Sequence, residues 1–147
     1  MIKVLLLLIS SFIINNSVLK NSILKIPSHT TSFLFIILSI PIVTFHPNWS
    51  IIISLFLAAL IYSEVIGLYN NHMIKLRVLK TGLITGLIIV LNNYFAPLYI
   101  LIIISLMYYK RFNLQYFLIQ LLGFIYPFFF LYSGIFLKYI DSPKYKL

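Results

Sequence analysis

Glu64 is the one carboxylate set inside an apolar run of this chain. An ionisable group among apolar residues is a candidate for binding a proton, a cation or a basic substrate group. It also suits an interfacial ion pair with Arg77 or Lys80, just beyond the end of the same run. A lone carboxylate cannot run the two-carboxylate acid–base scheme of glycosidases. The second acidic residue, Asp141, lies far along the tail. Asn92, Asn93 and Gln120 place polar amides in or between other apolar runs. Together with Glu64 they form a candidate polar intramembrane site, provided that the four converge on one pocket. His29, His46 and His72 show no His-x-x-x-His or Glu-x-x-His spacing, so no metal site is expected. With no cysteine in the chain, disulfides, thiolate metal sites and Cys nucleophiles are excluded. No Gly-rich phosphate loop, G-x-S-x-G elbow or zinc motif is present, so no catalytic residue and no cofactor is indicated.

The elements that must position these residues follow from composition. The chain has 147 residues, of which 62% are hydrophobic and 9% charged, whereas a soluble domain carries about 25% charged residues. So few charges cannot cover a folded chain in water, and the fitting solvent for such a surface is lipid. One integral membrane domain over residues 1–147 is expected. Eleven Lys and Arg against two acidic residues give a net charge of +9. These basic residues form no stripe. They sit in the gaps between apolar runs, as topology signals and contacts to anionic lipid rather than to nucleic acid. The start, Lys3 followed by Val4 to Ile9, resembles a signal peptide, but Asn15 and Asn16 stand where a small-residue cleavage site would be, and retention is expected.

Six apolar runs can be read: Ile2 to Ile14, Thr31 to Phe45, Ser50 to Tyr69, Thr81 to Leu91, Pro97 to Tyr109 and Tyr116 to Leu137. Only the third and sixth reach the ~20 residues of a full helical span. None alternates apolar with polar, so a β-barrel has no support. The loops after runs one, three and five hold Lys20, Lys25, Lys75, Arg77, Lys80, Lys110 and Arg111, and the turns after runs two and four hold no Lys or Arg. This alternation places the basic loops in the cytoplasm. By the same topology His29 and His72 are cytoplasmic, whereas His46, Lys3 and the tail lysines Lys138, Lys144 and Lys146 fall outside. Runs four and five are either two short tilted spans or one re-entrant hairpin. Asn92, Asn93 and Pro97 lie near the far surface in the first case and at mid-depth in the second, where unpaired backbone needs a shielded or wet cavity.

Gly82 and Gly86 form a G-x-x-x-G pair on one helical face, which lets another helix approach closely; packing within this chain is expected, with dimerisation as the alternative. Gln120 is expected to hydrogen-bond across helices, and Pro127 to kink run six. Trp49, Tyr94, Tyr108, Tyr109 and Tyr116 stand at run ends, as an aromatic belt would.

Leu68-Tyr69-Asn70 before a basic loop, Gly82 to Gly86, Asn93-Tyr94-Phe95-Ala96-Pro97, Lys110-Arg111-Phe112-Asn113, Leu121-Leu122-Gly123-Phe124 and Pro127-Phe128-Phe129 follow one another in order. This succession resembles a family of multi-pass inner-membrane proteins of Bacteroidota known only as a domain of unknown function. The likeness covers most of the chain and is strongest from Gly82 to Phe129. Members are considerably longer, so the chain corresponds to the middle of one. Where they carry an Arg-Glu-Trp-like segment, Gln115-Tyr116-Phe117 stands here. The resemblance implies a bacterial inner-membrane address and transfers no activity.

The resulting expectation is an all-α polytopic membrane bundle of about six short hydrophobic helices. Two roles are open. One is a non-enzymatic component of a membrane or envelope-biogenesis assembly, with lipid and other membrane subunits as partners. The other is a small transporter or lipid-handling membrane enzyme using Glu64 and the Asn92-Asn93 break. In this cysteine-free chain, Lys75→Cys should react with a membrane-impermeant maleimide only from the cytoplasmic side; labelling from outside would reverse the orientation.

Overall fold

A computed structural model of the chain describes residues 2–21, 29–45, 48–68, 73–109 and 113–136, and every regular element among them is helical. The expected six helices form: α1 (Ile2–Lys20), α2 (Thr30–Phe45), α3 (Trp49–Gly67), α4 (Ile74–Leu91), α5 (Pro97–Tyr108) and α6 (Leu114–Phe136). A single 3-10 turn, Asn93–Phe95, joins α4 to α5.

Two helices run well beyond their apolar runs. α1 does not stop at Ile14 but continues through Asn15, Asn16 and Ser17 to Lys20. Asn15 and Ser17 are buried, the first bonded to His29 just before α2 and the second to Ser63 on α3, so these two face inward while Asn16 is exposed. α4 starts at Ile74 rather than Thr81, and Lys75, Arg77 and Lys80 lie in its first two turns. Lys and Arg are good helix formers, and their long stems let the charged heads reach away from an apolar surface. With these extensions α1, α3 and α6 are each long and apolar enough to cross a membrane, one helix more than the runs indicated. α4, at 18 residues, is about 27 Å long.

Side-chain pairs fix the directions of the helices. α1 and α3 run parallel: the Ser17 and Ser63 hydroxyls share a hydrogen bond of 2.6 Å near one end, and Lys3 Nζ sits 5.2 Å from the centroid of the Trp49 ring at the other. α2 returns along α1, with Ser11 Oγ donating to the Ser32 carbonyl at 3.3 Å. α4 is antiparallel to α3, and at their shared end Ser50 Oγ donates to the Leu91 carbonyl at 2.7 Å. α5 turns back toward the start of α4. Ile102 packs with Ile61 and Ile88 in one core cluster, and Leu106 packs with Leu68 and Val78 in a second. The bundle thus has a basic end, holding Lys20, Lys75, Arg77 and Lys80, and a far end, holding Lys3, Trp49, Asn92 and Tyr94.

α6 lies parallel to α4 in backbone contact. A Cβ added to Gly82 would collide with the Gln120 carbonyl oxygen. One added to Gly86 would come within 2.5 Å of the Phe124 carbonyl oxygen and 3.0 Å of Pro127 Cγ. From the other side, a Cβ on Gly123 would meet the Leu79 carbonyl oxygen at 2.6 Å. The seam therefore admits only hydrogen at three positions. α6 continues to Phe136 through Pro127, which is buried and packs against Gly86. Lacking an N–H, Pro127 cannot pair with the Gly123 carbonyl one turn before it.

Gly82→Val and Gly123→Val should each destabilise the bundle by about 1–3 kcal/mol, the usual cost of overpacking. Leu122→Val, on the exposed face of α6, should cost much less. Thermal unfolding in detergent micelles measures all three, and equal midpoints would disprove the seam.

Candidate functional site

Glu64 sits in the last turn of α3, at the basic end, and it is ion-paired. Arg77 Nη1 donates to Glu64 Oε2 at 3.1 Å, and Lys80 Nζ lies 3.6 Å from Glu64 Oε1. Arg77 and Lys80 are three residues apart on α4 and so project from one face toward the same carboxylate. Room for the guanidinium comes from Gly67, one turn along α3, because a Cβ there would overlap Arg77 Nη1. Together with Met73 and Leu76 the three charged residues line a hollow of about 320 Å³. The carboxylate is partly buried and met by two cations. It is therefore an anchor between α3 and α4 rather than an open base, and the trio keeps one net positive charge.

The other candidate residues lie elsewhere. Asn92 follows α4 at the far end, fifteen residues beyond Arg77, a distance of about 22 Å along the helix. Its backbone is extended, and its Oδ1 accepts from the Tyr94 backbone N–H at 3.2 Å, capping the 3-10 turn. Asn93 is exposed and lines a separate hollow of about 350 Å³ with Phe128 and Tyr132. Gln120 is fully buried on α6, with its backbone carbonyl against Gly82. The expected cross-helix hydrogen bond of its side chain is not made: neither Nε2 nor Oε1 has a partner among the described residues. Nearby on α4, the Thr81 hydroxyl donates to the Val78 carbonyl and the Thr85 hydroxyl to the Thr81 carbonyl. Both hydroxyl protons thus stay within their own helix. Glu64 and Asn93 line separate hollows at opposite ends of the bundle, so the four candidates do not converge on one pocket among the described residues. Gly82 and Gly86 serve the contact with α6 described above. His46 and His72 lie outside the described residues, as do the basic residues Lys25, Lys110 and Arg111 and the tail carrying Asp141.

The richest polar cluster is one that sequence reasoning passed over. Asn15 Nδ2 donates to His29 Nδ1 at 3.1 Å, and Ser32 Oγ donates to the His29 carbonyl at 2.8 Å. Ser11 bonds the Ser32 carbonyl, and Ser17 reaches Ser63. α1, α2 and α3 are thereby joined by side chains near the basic end. Asn15 Oδ1 is buried with no hydrogen-bond partner among the described residues. The cluster holds no carboxylate, and among the described residues no group of three metal-ligating side chains exists. Its chemistry is that of a helix clasp. The signal was the recurrence of Ser10, Ser11, Ile14, Asn15, Ser17 and Val18 at three- and four-residue spacing, the mark of one buried face.

Compared with protein families, curated proteins and solved structures, the chain finds no match.

The Gly67 hollow should couple energetically to Arg77. Gly67→Val should expel the guanidinium and destabilise the bundle, whereas the same change in an Arg77→Ala background should cost less, with a coupling on the order of 1 kcal/mol. A double-mutant cycle of thermal unfolding reads this directly; strict additivity would rule the packing out.

Proposed function

We propose that the chain is a multi-pass protein of the bacterial inner membrane that acts without catalysis of its own, as a component of a membrane or envelope-biogenesis assembly. The carrying observation is the inverted distribution of polarity. Ser10, Asn15, Ser54, Thr81, Thr85 and Gln120 are buried, while Phe12, Leu38, Leu122, Phe129 and Phe136 are exposed. Monomeric soluble proteins rarely expose contiguous apolar patches beyond a few hundred Å², and lipid accepts them at no cost. The length of α4, about 27 Å, supports a reading in which Asn92 and Asn93 lie near the far surface of a bilayer whose hydrocarbon core is ~30 Å thick. That favours two spans over a re-entrant hairpin. The basic end then faces the cytoplasm, and Lys3 is accommodated outside by its stacking on Trp49.

The non-catalytic role is supported by the separation of the four intramembrane candidates and by the ion-paired state of Glu64. A transporter or membrane enzyme would gather such groups around one cavity. The bacterial inner-membrane address itself is what the resemblance to the Bacteroidota family implies.

Purification from its own membrane in mild detergent, after brief amine cross-linking, should recover the chain with a membrane partner in fixed ratio. Glu64→Gln should leave that complex and the host's growth unchanged at normal protein levels. A chain that purifies alone, combined with impaired growth of the host carrying Glu64→Gln at normal protein levels, would replace the assembly role with the transporter or lipid-handling one.

A further inference from the structure

An apolar groove of about 410 Å³ opens on the side of the bundle between α2 and α5, with α3 as its floor. Ala58 and Ala59 keep the floor low, and Leu34, Leu38, Leu98 and Leu101 form the walls. Its volume falls within the ~300–1,000 Å³ of small-molecule sites.

The polar groups of the lining are all at one end. Thr31 stands at the start of α2, Tyr62 near the end of α3 and Ser105 near the end of α5. The helix directions put these three positions together at the basic end, where Lys20 closes α1. In the sequence Lys25 follows α1, and Lys110 and Arg111 follow α5. The opposite end, at Leu38 and Leu98, is wholly apolar. The groove thus has the polarity of an amphiphile: hydrocarbon along its length, hydroxyls at its mouth, positive charge beyond.

Its length decides between occupants. Thr31 to Leu38 and Leu98 to Ser105 each cover seven helical steps, about 10 Å. A helix from a second copy would need a seat along most of the ~30 Å hydrocarbon core. One leaflet supplies a depth of ~15 Å, and the groove fits within it.

We propose that the groove seats an acyl chain of an anionic phospholipid from the cytoplasmic leaflet. Its ester region lies at the level of Thr31 and Tyr62, and its phosphate at the level of Lys20. The Tyr62 hydroxyl can donate to an ester carbonyl. Ser105 donates to the Leu101 carbonyl at 2.8 Å and so offers the lipid only its oxygen lone pairs. This assignment rests on the membrane placement proposed above and adds a specific lipid to it.

The test is native mass spectrometry of the full chain in detergent, exchanged against equal amounts of phosphatidylglycerol and phosphatidylcholine. One phosphatidylglycerol per chain should be retained, several-fold over phosphatidylcholine. Ala58→Phe should empty the groove, and Lys20→Gln should keep lipid binding but lose the preference for the anionic headgroup. A second measurement does not depend on Ala58→Phe folding. In a Trp49→Phe, Leu101→Trp chain, brominated phosphatidylglycerol should quench the new indole more strongly than brominated phosphatidylcholine. Equal retention of both lipids, retention of neither, or a chain dimer in place of lipid would each overturn the groove assignment while leaving the chain in its membrane. A chain that stays dispersed without detergent would overturn the membrane placement as well.

Discussion

Backbone against backbone along α4 and α6 sets the geometry of this molecule. Gly82 and Gly86 on one helix and Gly123 on the other bring carbonyl oxygens to within reach of bare Cα hydrogens. Between helices in lipid there is little hydrophobic force, and dispersion at close range must hold them together. The seam also fixes α4 from behind, so that its opposite face meets α3. That placement delivers Arg77 and Lys80 to Glu64 and stacks Val78 and Ile88 into the two apolar clusters. Gln120 is an unpaired member of the same contact. Its backbone is held by the glycine seam, and its amide is buried with no hydrogen-bond partner among the described residues.

The halves of the bundle are built on different forces. α4 and α6 meet through shape, with glycine, proline and aromatic rings. α1, α2 and α3 meet through hydrogen bonds among Ser11, Asn15, Ser17, His29, Ser32 and Ser63. α5 is the least engaged helix, touching the rest through Ile102, Leu106 and its first residues. The groove exists because α5 and α2 leave the Ala58 side of α3 uncovered.

The six helices were legible because each apolar run is bounded by charge, proline or asparagine. Their limits were not. Whether a helix continues through Asn15-Asn16 or begins at Lys75 is decided by what those side chains meet in the fold, and no local pattern records that. The ion pairing of Glu64 was foreseeable: Arg77 lies only thirteen residues on, across a short connection that must fold α4 back on α3. The G-x-x-x-G pair announced a close contact without naming its partner, since Gly123 is separated from it by a whole helix. The clasp at Asn15 was hidden because isolated serines in an apolar run read as neutral filler until their spacing is plotted on a helical face. Gln120 misled for the opposite reason: a buried amide is normally paired, and here it is not.

The bond between Ser17 and Ser63 has a consequence for the order of events during synthesis. Its partners are 46 residues apart, and a ribosome adding roughly 5–20 residues per second needs several seconds to cover that distance. For that interval Ser17 has emerged without its partner, because α3 does not yet exist, whereas His29 and Ser32, which meet Asn15 and Ser11, follow much sooner. Until then the Ser17 hydroxyl has only its own helix to bond, at the Ile13 carbonyl 2.7 Å away, and the link to α3 closes last.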